Sequence, residues 1–159
     1  TNRDRGILYL SENPPLFGNK SVIFNVEYPL AVRKTEKTQK RAIAEQALAT
    51  VGLSELANVK AKTLSNIQKR QTALARGLTV KRNVVLFDGL FDDGVLDVEQ
   101  TLSLFDARIK VIFTARQDIL LGNVIVLDGG KCVYRGDSQG AKSVMDGANY
   151  WLFGKTEQK

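Results

Sequence analysis

The side chains best suited to chemistry are carboxylates that follow one short apolar run. Val84–Phe87 is an uninterrupted β-favouring run, typical of a parallel strand that is covered on both faces. Asp88 is therefore expected at the carboxyl end of a strand, where open α/β sheets place their ligand sites. Together with Asp92, Asp93 and Asp97 it could bind magnesium, a cation that prefers oxygen ligands. Because loop aspartates more often cap helices and close turns, this cluster is the less favoured interpretation.

A helix is predicted to lead into that strand. Ser65 stands where a helix N-cap belongs, and Ala73, Leu74, Gly77 and Leu78 return every three or four residues, so one helical face is apolar. The pattern predicts a helix of about four turns with one apolar face, and this helix leads into the strand.

Two motifs resemble those of ATP-binding cassette (ABC) ATPases. Residues 64–78 are similar to the signature helix of that family, whose pattern is LSGGQ followed by a basic, alanine-rich helix. Leu64, Ser65 and Gln68 match the pattern. Residues 83–88 are similar to the family's Walker B strand. The order and spacing of the two motifs make the resemblance more specific than either motif does alone.

The resemblance implies positions for ATP and magnesium. Ser65, Asn66 and Gln68 occupy signature positions that contact a nucleotide held by a partner subunit, and Asp88 occupies the position that holds magnesium through water. Glu12 stands at the glutamine position of the family's Q-loop, where its carboxylate could contact a metal ion. It would repel polyphosphate unless a cation intervened, and the alternative is an ordinary surface glutamate.

The resemblance extends to a helical subdomain at about residues 21–80. Residues 13–17 match the end of the Q-loop pattern, and residues 21–33 resemble the segment that follows it in importer-type ABC ATPases. Pro29 is expected to end or bend the helix there. Residues 36–51 form a clear amphipathic pattern and predict a further helix. In the family this subdomain docks onto coupling helices of a membrane subunit.

Three departures from the family pattern concern catalysis. Asn66 and Ile67 occupy the two glycine positions of the signature, where the family's backbone approaches the γ-phosphate. Gly89 stands where the family carries the glutamate that activates water, and Ala115 stands where it carries the switch histidine. We therefore assign no catalytic residue. The family comprises ATPases, but we expect this chain to be inactive alone.

The other elements follow the same family order. Residues 7–10 predict a strand, residues 95–107 a helix and residues 111–114 another strand. Residues 123–134 predict a hairpin that turns at an Asp-Gly-Gly sequence. The aromatic run Tyr150–Phe153 is expected either to pack on the body or to mark a contact surface.

Composition indicates one intracellular domain. The chain has 159 residues, 43% of them hydrophobic, which is enough for a substantial core. The formal net charge is +6, but basic stretches do not alternate with aromatic residues, so nucleic acid is not an expected partner. The single cysteine, Cys132, suits a reducing compartment, and no apolar run is long enough to cross a bilayer. We expect a cytoplasmic protein, peripheral to the membrane.

The predicted fold is α/β: a partial P-loop NTPase-like domain with a mostly parallel sheet and a helical signature subdomain, spanning residues 1–159. The sequence contains no G-x-x-x-x-G-K-[ST] motif, the loop that cradles phosphates in this fold. In the family, the strand that leads into this loop lies within the sheet. Its neighbours would otherwise expose unpaired backbone groups, so we expect either a piece of a longer protein or a sheet that is rearranged or completed by another copy.

Three hypotheses follow from the sequence. The first is a degenerate ABC-type ATP-binding subunit or domain of a membrane transporter, non-hydrolytic on its own. It would act as a scaffold or regulatory half-site beside a second nucleotide-binding domain and a permease. The second is a fragment of a competent ATP-hydrolysing transporter subunit, seen without its Walker A portion. The third is an adaptor domain that keeps only the fold and binds protein or nucleic acid.

Overall fold

The computed structural model describes residues 6–148, which fall into two compact units divided between Phe113 and Thr114. The aromatic run Tyr150–Phe153 lies outside the described residues. None of the described helices combines the length and apolar character that spanning a membrane requires.

A parallel three-stranded sheet organises the first unit. Its strands are β1 (Ile7–Ser11), β2 (Val84–Asp88) and β3 (Ile109–Phe113), in the order β1-β2-β3. In the register of this sheet, Ser11 pairs with Asp88 and Asp88 pairs with Phe113, so all three strands end at the same edge. The predicted α/β class and the strand that ends at Asp88 are confirmed.

The two faces of the sheet differ in burial. On one face Val85 and Phe87 are buried, and the Phe87 ring contacts the rings of Phe91 and Phe105. The opposite face carries half-exposed apolar side chains, namely Ile7, Tyr9, Ile109 and Phe113. On β2 itself, Val84 and Leu86 face this side and are only partly buried, so the prediction that β2 is covered on both faces is confirmed for the face of Val85 and Phe87 alone.

Three helices pack against one another, and the third of them contacts strand β1 of the sheet. They are α1 (Val22–Val32), α2 (Lys37–Thr50) and α3 (Asn66–Leu78), with single 3₁₀ turns at Ser54–Leu56 and Ala61–Thr63. Helix α1 buries the stripe predicted for it, Val22, Ile23, Val26 and Leu30.

One predicted helix is shorter than expected, and one of the two alternatives for Pro29 is excluded. Pro29 does not end α1, which continues to Val32, so a bend at Pro29 stays the prediction. Downstream of β2 the helix predicted over residues 95–107 is the short α4 (Val98–Ser103). It begins after its N-cap Asp97, and the chain then turns into β3, which begins two residues before the predicted strand.

The described part of the second unit, residues 114–148, is a hairpin with one helix. Strands β4 (Val124–Asp128) and β5 (Lys131–Gly136) pair antiparallel across the predicted glycine turn, and α5 (Ser138–Ala148) packs against both. Both turn glycines, Gly129 and Gly130, have positive φ, as a tight hairpin turn of this kind requires.

Candidate functional site

The carboxyl edge of the first unit's sheet places Asp88 beside β1. Asp88 is exposed at the end of β2, and the Tyr9 hydroxyl on β1 donates a hydrogen bond to its Oδ2 atom. This hydrogen bond is the main reason why the pKa of Tyr9 is raised above its ordinary value. Asp88 therefore keeps an exposed carboxylate at the edge where β1, β2 and β3 end, the geometry expected of a ligand-binding edge.

Glu12 joins the same edge directly after β1. Its amide donates to the Asp88 carbonyl at 3.0 Å, which places residue 12 next to the turn that follows β2. A Cβ atom built on Gly89 in that turn would lie 3.9 Å from Glu12 Oε2 and 3.7 Å from Asp92 Oδ2. The predicted Q-loop and Walker B positions thus lie side by side, with carboxylates flanking the position where a side chain at residue 89 would begin.

A buried arginine ties these segments together. Arg70 lies on α3 with only 4% of its surface exposed, and its Nη1 atom lies 2.7 Å from Asp93 Oδ2. Its Nη2 atom lies 3.7 Å from Glu12 Oε1, and its Nε atom donates to the Glu12 carbonyl at 3.1 Å. The Leu90 carbonyl accepts a further, longer bond at 3.4 Å. One guanidinium therefore connects α3 with the segment after β1 and the segment after β2.

The contact with Arg70 helps to lower the pKa of Asp93. Partial burial alone would raise the pKa of this carboxyl, but the Val95 amide and the Arg70 guanidinium outweigh it and hold the pKa below its ordinary value. Asp97 has a different partner, since its side chain caps α4 by accepting from the Gln100 amide at 2.6 Å.

The contacts of Asp93 and Asp97 decide whether the suggested cluster of four aspartates could hold magnesium. Asp93 and Asp97 serve in an ion pair and a helix cap, the kinds of role that the favoured interpretation assigned to loop aspartates. Among residues 6–148, no three histidine, cysteine, aspartate or glutamate side chains are grouped so that they could hold a metal ion. The cluster of four aspartates is therefore not formed in the described part of the chain. Asp88 alone remains the predicted magnesium position.

The start of α3 carries the predicted signature residues. Ser65 is the N-cap, and a capping box links its side chain to the Gln68 amide at 3.3 Å and the Gln68 Oε1 atom to the Ser65 amide at 3.0 Å. These bonds use the oxygen acceptors of both side chains. The Ser65 hydroxyl proton and the Gln68 amide group are donors, the type of group that a phosphate or ribose oxygen requires.

Asn66 and Glu12, predicted from separate motifs, line one cavity. Its volume is about 250 Å³, and it lies between the segment after β1 and the start of α3. The lysines Lys62 and Lys69 also line it. The structure thus brings these two predicted site residues together. Ser65 and Gln68 lie at the same end of α3 without lining that cavity.

Ala115 belongs to the second unit. It lies in a bend two residues after β3, and its methyl group carries no proton that it could transfer.

A larger groove lies beside the loop that follows Glu12. Its volume is about 630 Å³, and its walls combine apolar and aromatic side chains with three arginines: Pro15, Leu16, Phe17, Tyr28, Pro29, Val32, Arg33, Arg76 and Arg82. The Phe17 ring contacts the rings of Phe24 and Tyr28 on α1. Apolar walls with basic side chains suit a protein segment that carries apolar and acidic groups.

Polar side chains from two helices fix that loop. Arg76 Nη1 on α3 donates to the Pro15 carbonyl at 2.8 Å, and burial lowers the pKa of this guanidinium. Asn25, fully buried on α1, accepts from the Phe17 amide at 2.7 Å and donates to the Phe17 carbonyl at 3.3 Å. The groove wall is therefore preorganised by α1 and α3.

Sequence reasoning missed Tyr9, Arg70 and the groove. Arg70 had a signal, because it falls three and four residues before Ala73 and Leu74 and so shares the apolar face of α3. A charged residue on a buried stripe indicates an ion pair. Tyr9 had no comparable signal, since its bond to Asp88 depends on the pairing of two distant strands.

Residues 1–91 match the family model described as ABC transporter. The chain is 33% identical over 144 residues to the methionine import ATP-binding protein MetN of Myxococcus xanthus, covering 83% of this chain and 43% of that protein. It is 31% identical over 135 residues to the aliphatic sulfonates import ATP-binding protein SsuB of Mycobacterium avium, covering 77% of this chain and 53% of that protein.

Solved structures match the fold. The structure of cbiO1 from Clostridium perfringens, described as part of the ABC transporter complex cbiONQ, matches with a TM-score of 0.69 at 24% identity. The match covers 91% of this chain and 63% of that chain. A putative metal-chelate type ABC transporter in an inward-facing conformation matches with a TM-score of 0.65 at 19% identity, covering 84% of this chain and 59% of that chain. The chain spans about half the length of the curated relatives named above.

Proposed function

Because the chain belongs to the ABC transporter family of nucleotide-binding domains, we propose that it is a degenerate ATP-binding subunit or domain of an import transporter. It does not hydrolyse ATP on its own and serves as a scaffold or regulatory half-site. The observation that carries this proposal is Gly89. At the end of β2, where the family has its water-activating glutamate, the chain has no side chain.

ATP and magnesium are the ligands of this proposal. Ser65, Asn66 and Gln68 contact a nucleotide that is held by a partner subunit, and the donors left by the capping box support this role. The start of a helix also favours negative charge. Asp88 holds magnesium through water, and Glu12 faces the same cation. Binding needs the partner, because the partner subunit holds the nucleotide. It is otherwise weak, because both glycine positions of the signature carry larger side chains.

The proposed partners are a second nucleotide-binding domain and a membrane permease. The groove of apolar, aromatic and arginine side chains supports docking of a permease segment, since this surface is concave and preorganised. No nucleic acid is involved. The protein lies in the cytoplasm and is peripheral to the membrane through the transporter, and residues 1–159 act as a single ABC ATPase-like domain with its helical subdomain at about residues 21–80.

Nucleotide titration tests the proposed contact with α3. A complex with a second nucleotide-binding domain is titrated with a fluorescent ATP analogue and magnesium. Ser65→Ala removes a hydroxyl donor and is expected to weaken binding by roughly ten- to a hundredfold, because a hydrogen bond to a charged group contributes about 1.5–3 kcal/mol. Ser54→Ala is the matched control, because Ser54 opens a 3₁₀ turn elsewhere in the first unit. Equal affinities for both variants contradict the contact.

The second candidate is a part of a competent ATP-hydrolysing subunit. The half-exposed apolar face of the sheet, with Ile7, Tyr9, Ile109 and Phe113, favours it, because further elements could pack there. Turnover of ATP by the protein as its cells make it distinguishes the two candidates. The proposed function predicts none without a competent partner, and the second predicts turnover that needs Asp88.

A further inference from the structure

The loop of residues 12–17 connects the edge of the sheet with the large groove. Glu12 lies at the carboxyl edge of the sheet, whereas Pro15 and Phe17 line the groove. The half-exposed Phe17 ring packs on the Tyr28 ring, with the two ring centres 4.8 Å apart. The position of this loop therefore sets the shape of one groove wall.

Backbone atoms fix the loop at its sheet end. The Glu12 amide donates to the Asp88 carbonyl at 3.0 Å, and the Glu12 carbonyl accepts from Arg70 Nε at 3.1 Å. Both bonds use main-chain atoms of residue 12, so they do not depend on what its carboxylate contacts. A ligand at the sheet edge can therefore meet the Glu12 side chain without moving the loop beyond it.

Asn25 fixes the groove end of the loop from α1. Its side chain is fully buried, and its Oδ1 atom accepts from the Phe17 amide at 2.7 Å. Its Nδ2 atom donates to the Phe17 carbonyl at 3.3 Å and to the Ser21 carbonyl at 2.9 Å. One side chain thus satisfies both backbone groups of Phe17. Moving the loop away would leave buried polar atoms of Asn25 without partners, which is costly.

Arg76 holds the same end of the loop from α3. Its Nη1 atom donates to the Pro15 carbonyl at 2.8 Å. The Lys20 amide also donates to the Phe17 carbonyl at 2.9 Å and closes the turn that follows the loop. The groove end is therefore fixed by the helices and by the loop's own turn, through bonds that involve no group at the sheet edge.

We propose that Asn25, assisted by Arg76, is a positioning residue that keeps the groove ready for docking whether or not a nucleotide is bound. This inference rests on the proposed function, in which a permease segment with apolar and acidic side chains docks in the groove. The segment then meets the same wall throughout the nucleotide cycle, which suits a scaffold subunit.

Amide hydrogen exchange on the whole protein tests the role of Asn25. Asn25→Leu keeps a side chain of similar size and removes its bonds to Phe17. The Phe17 amide is then expected to exchange at least about fivefold faster relative to the amides of α2, because a buried polar group loses its partner. The α2 amides serve as the reference because a loss of global stability would speed both sets of amides together.

Asn58→Leu is the matched control, the same substitution at an exposed asparagine of the first unit. It is expected to leave the relative exchange rate of the Phe17 amide unchanged. Equal relative rates in Asn25→Leu and Asn58→Leu overturn the positioning role.

Arg76→Met keeps the test decisive should Asn25→Leu fail to fold. This variant is expected to raise the relative exchange rate of the Phe17 amide, and Arg76→Lys, which keeps a donor for the Pro15 carbonyl, is expected to raise it less. A Phe17 amide that exchanges at the same relative rate in Arg76→Met as in the unsubstituted protein contradicts the clamp.

The same amide tests independence from nucleotide. It is followed in the complex with a second nucleotide-binding domain, with and without ATP and magnesium, and its relative exchange rate is expected to change by less than about twofold. A larger change overturns the independence. A complex that binds no nucleotide overturns the proposed function instead, and the Asn25→Leu comparison then still decides the positioning role.

Discussion

At the scale of single residues, Arg70 is the central contact of the first unit's site. The family resemblance predicted a basic helix around it, but the prediction did not use the spacing of Arg70 from Ala73 and Leu74, which would have indicated the buried face. Its partners Glu12 and Asp93 could not be predicted from the sequence, because each belongs to a distant segment that only the folded sheet brings near. The local sequence pattern thus indicates that Arg70 needs an acidic partner, but it does not identify that partner.

Replacing Arg70 should destabilise the protein more than replacing an exposed arginine. Arg70→Met is expected to lower the free energy of unfolding by about 2 kcal/mol, between the values for buried and exposed pairs, because Arg70 is buried while its two acidic partners are partly exposed. Arg41→Met is the matched control at about 0.5 kcal/mol or less, since Arg41 is itself exposed and pairs with Glu45 at 2.7 Å and, at the longer distance of 3.8 Å, with Glu27. Urea unfolding measures both, and equal losses would contradict the structural role of Arg70.

At the scale of elements, local signals predicted helix ends well where they were strong. The amphipathic pattern over residues 36–51 corresponds to α2, Lys37–Thr50. Gly52, with φ +73°, terminates it through bonds from the Gly52 amide to the Ala49 carbonyl and from the Leu53 amide to the Leu48 carbonyl. Prediction failed downstream of β2, where the apolar spacing continued past the point at which tertiary packing turns the chain into β3.

The start of α2 should be sensitive to acid. Glu36 is its N-cap and accepts from the Thr38 hydroxyl and from the Gln39 and Thr38 amides, which lowers its pKa from 4.5 to about 2. Because the folded pKa is the lower one, this cap stabilises the folded state above about pH 4.5 and its contribution is lost as the pH falls toward 2.

Glu36→Gln is the control for that loss. The variant lacks the titrating group, so Tm of the unsubstituted protein should fall more steeply than that of the variant between about pH 4.5 and 2. Scanning calorimetry at intervals of pH measures both curves. Parallel curves across this range would show that the Glu36 carboxylate does not cap α2.

At the scale of the whole molecule, the fold and family were predictable and the distribution of burial was not. Two motifs in order, at Ser65 and Asp88, were enough to predict a parallel α/β sheet with a helical layer. The half-exposed apolar face of that sheet was not predictable, because an apolar strand pattern does not say which elements cover each face. The same holds for the groove, whose walls come from α1, α3 and the loop between β1 and α1.

ATP turnover by the protein as its cells make it tests the central claim most directly. The unsubstituted protein and Asp88→Asn are compared at saturating ATP and magnesium, without a competent partner subunit. A half-site in which residue 89 is glycine should show no turnover above background in either protein. Turnover by the unsubstituted protein that Asp88→Asn abolishes would contradict the account and show that the site hydrolyses ATP by itself.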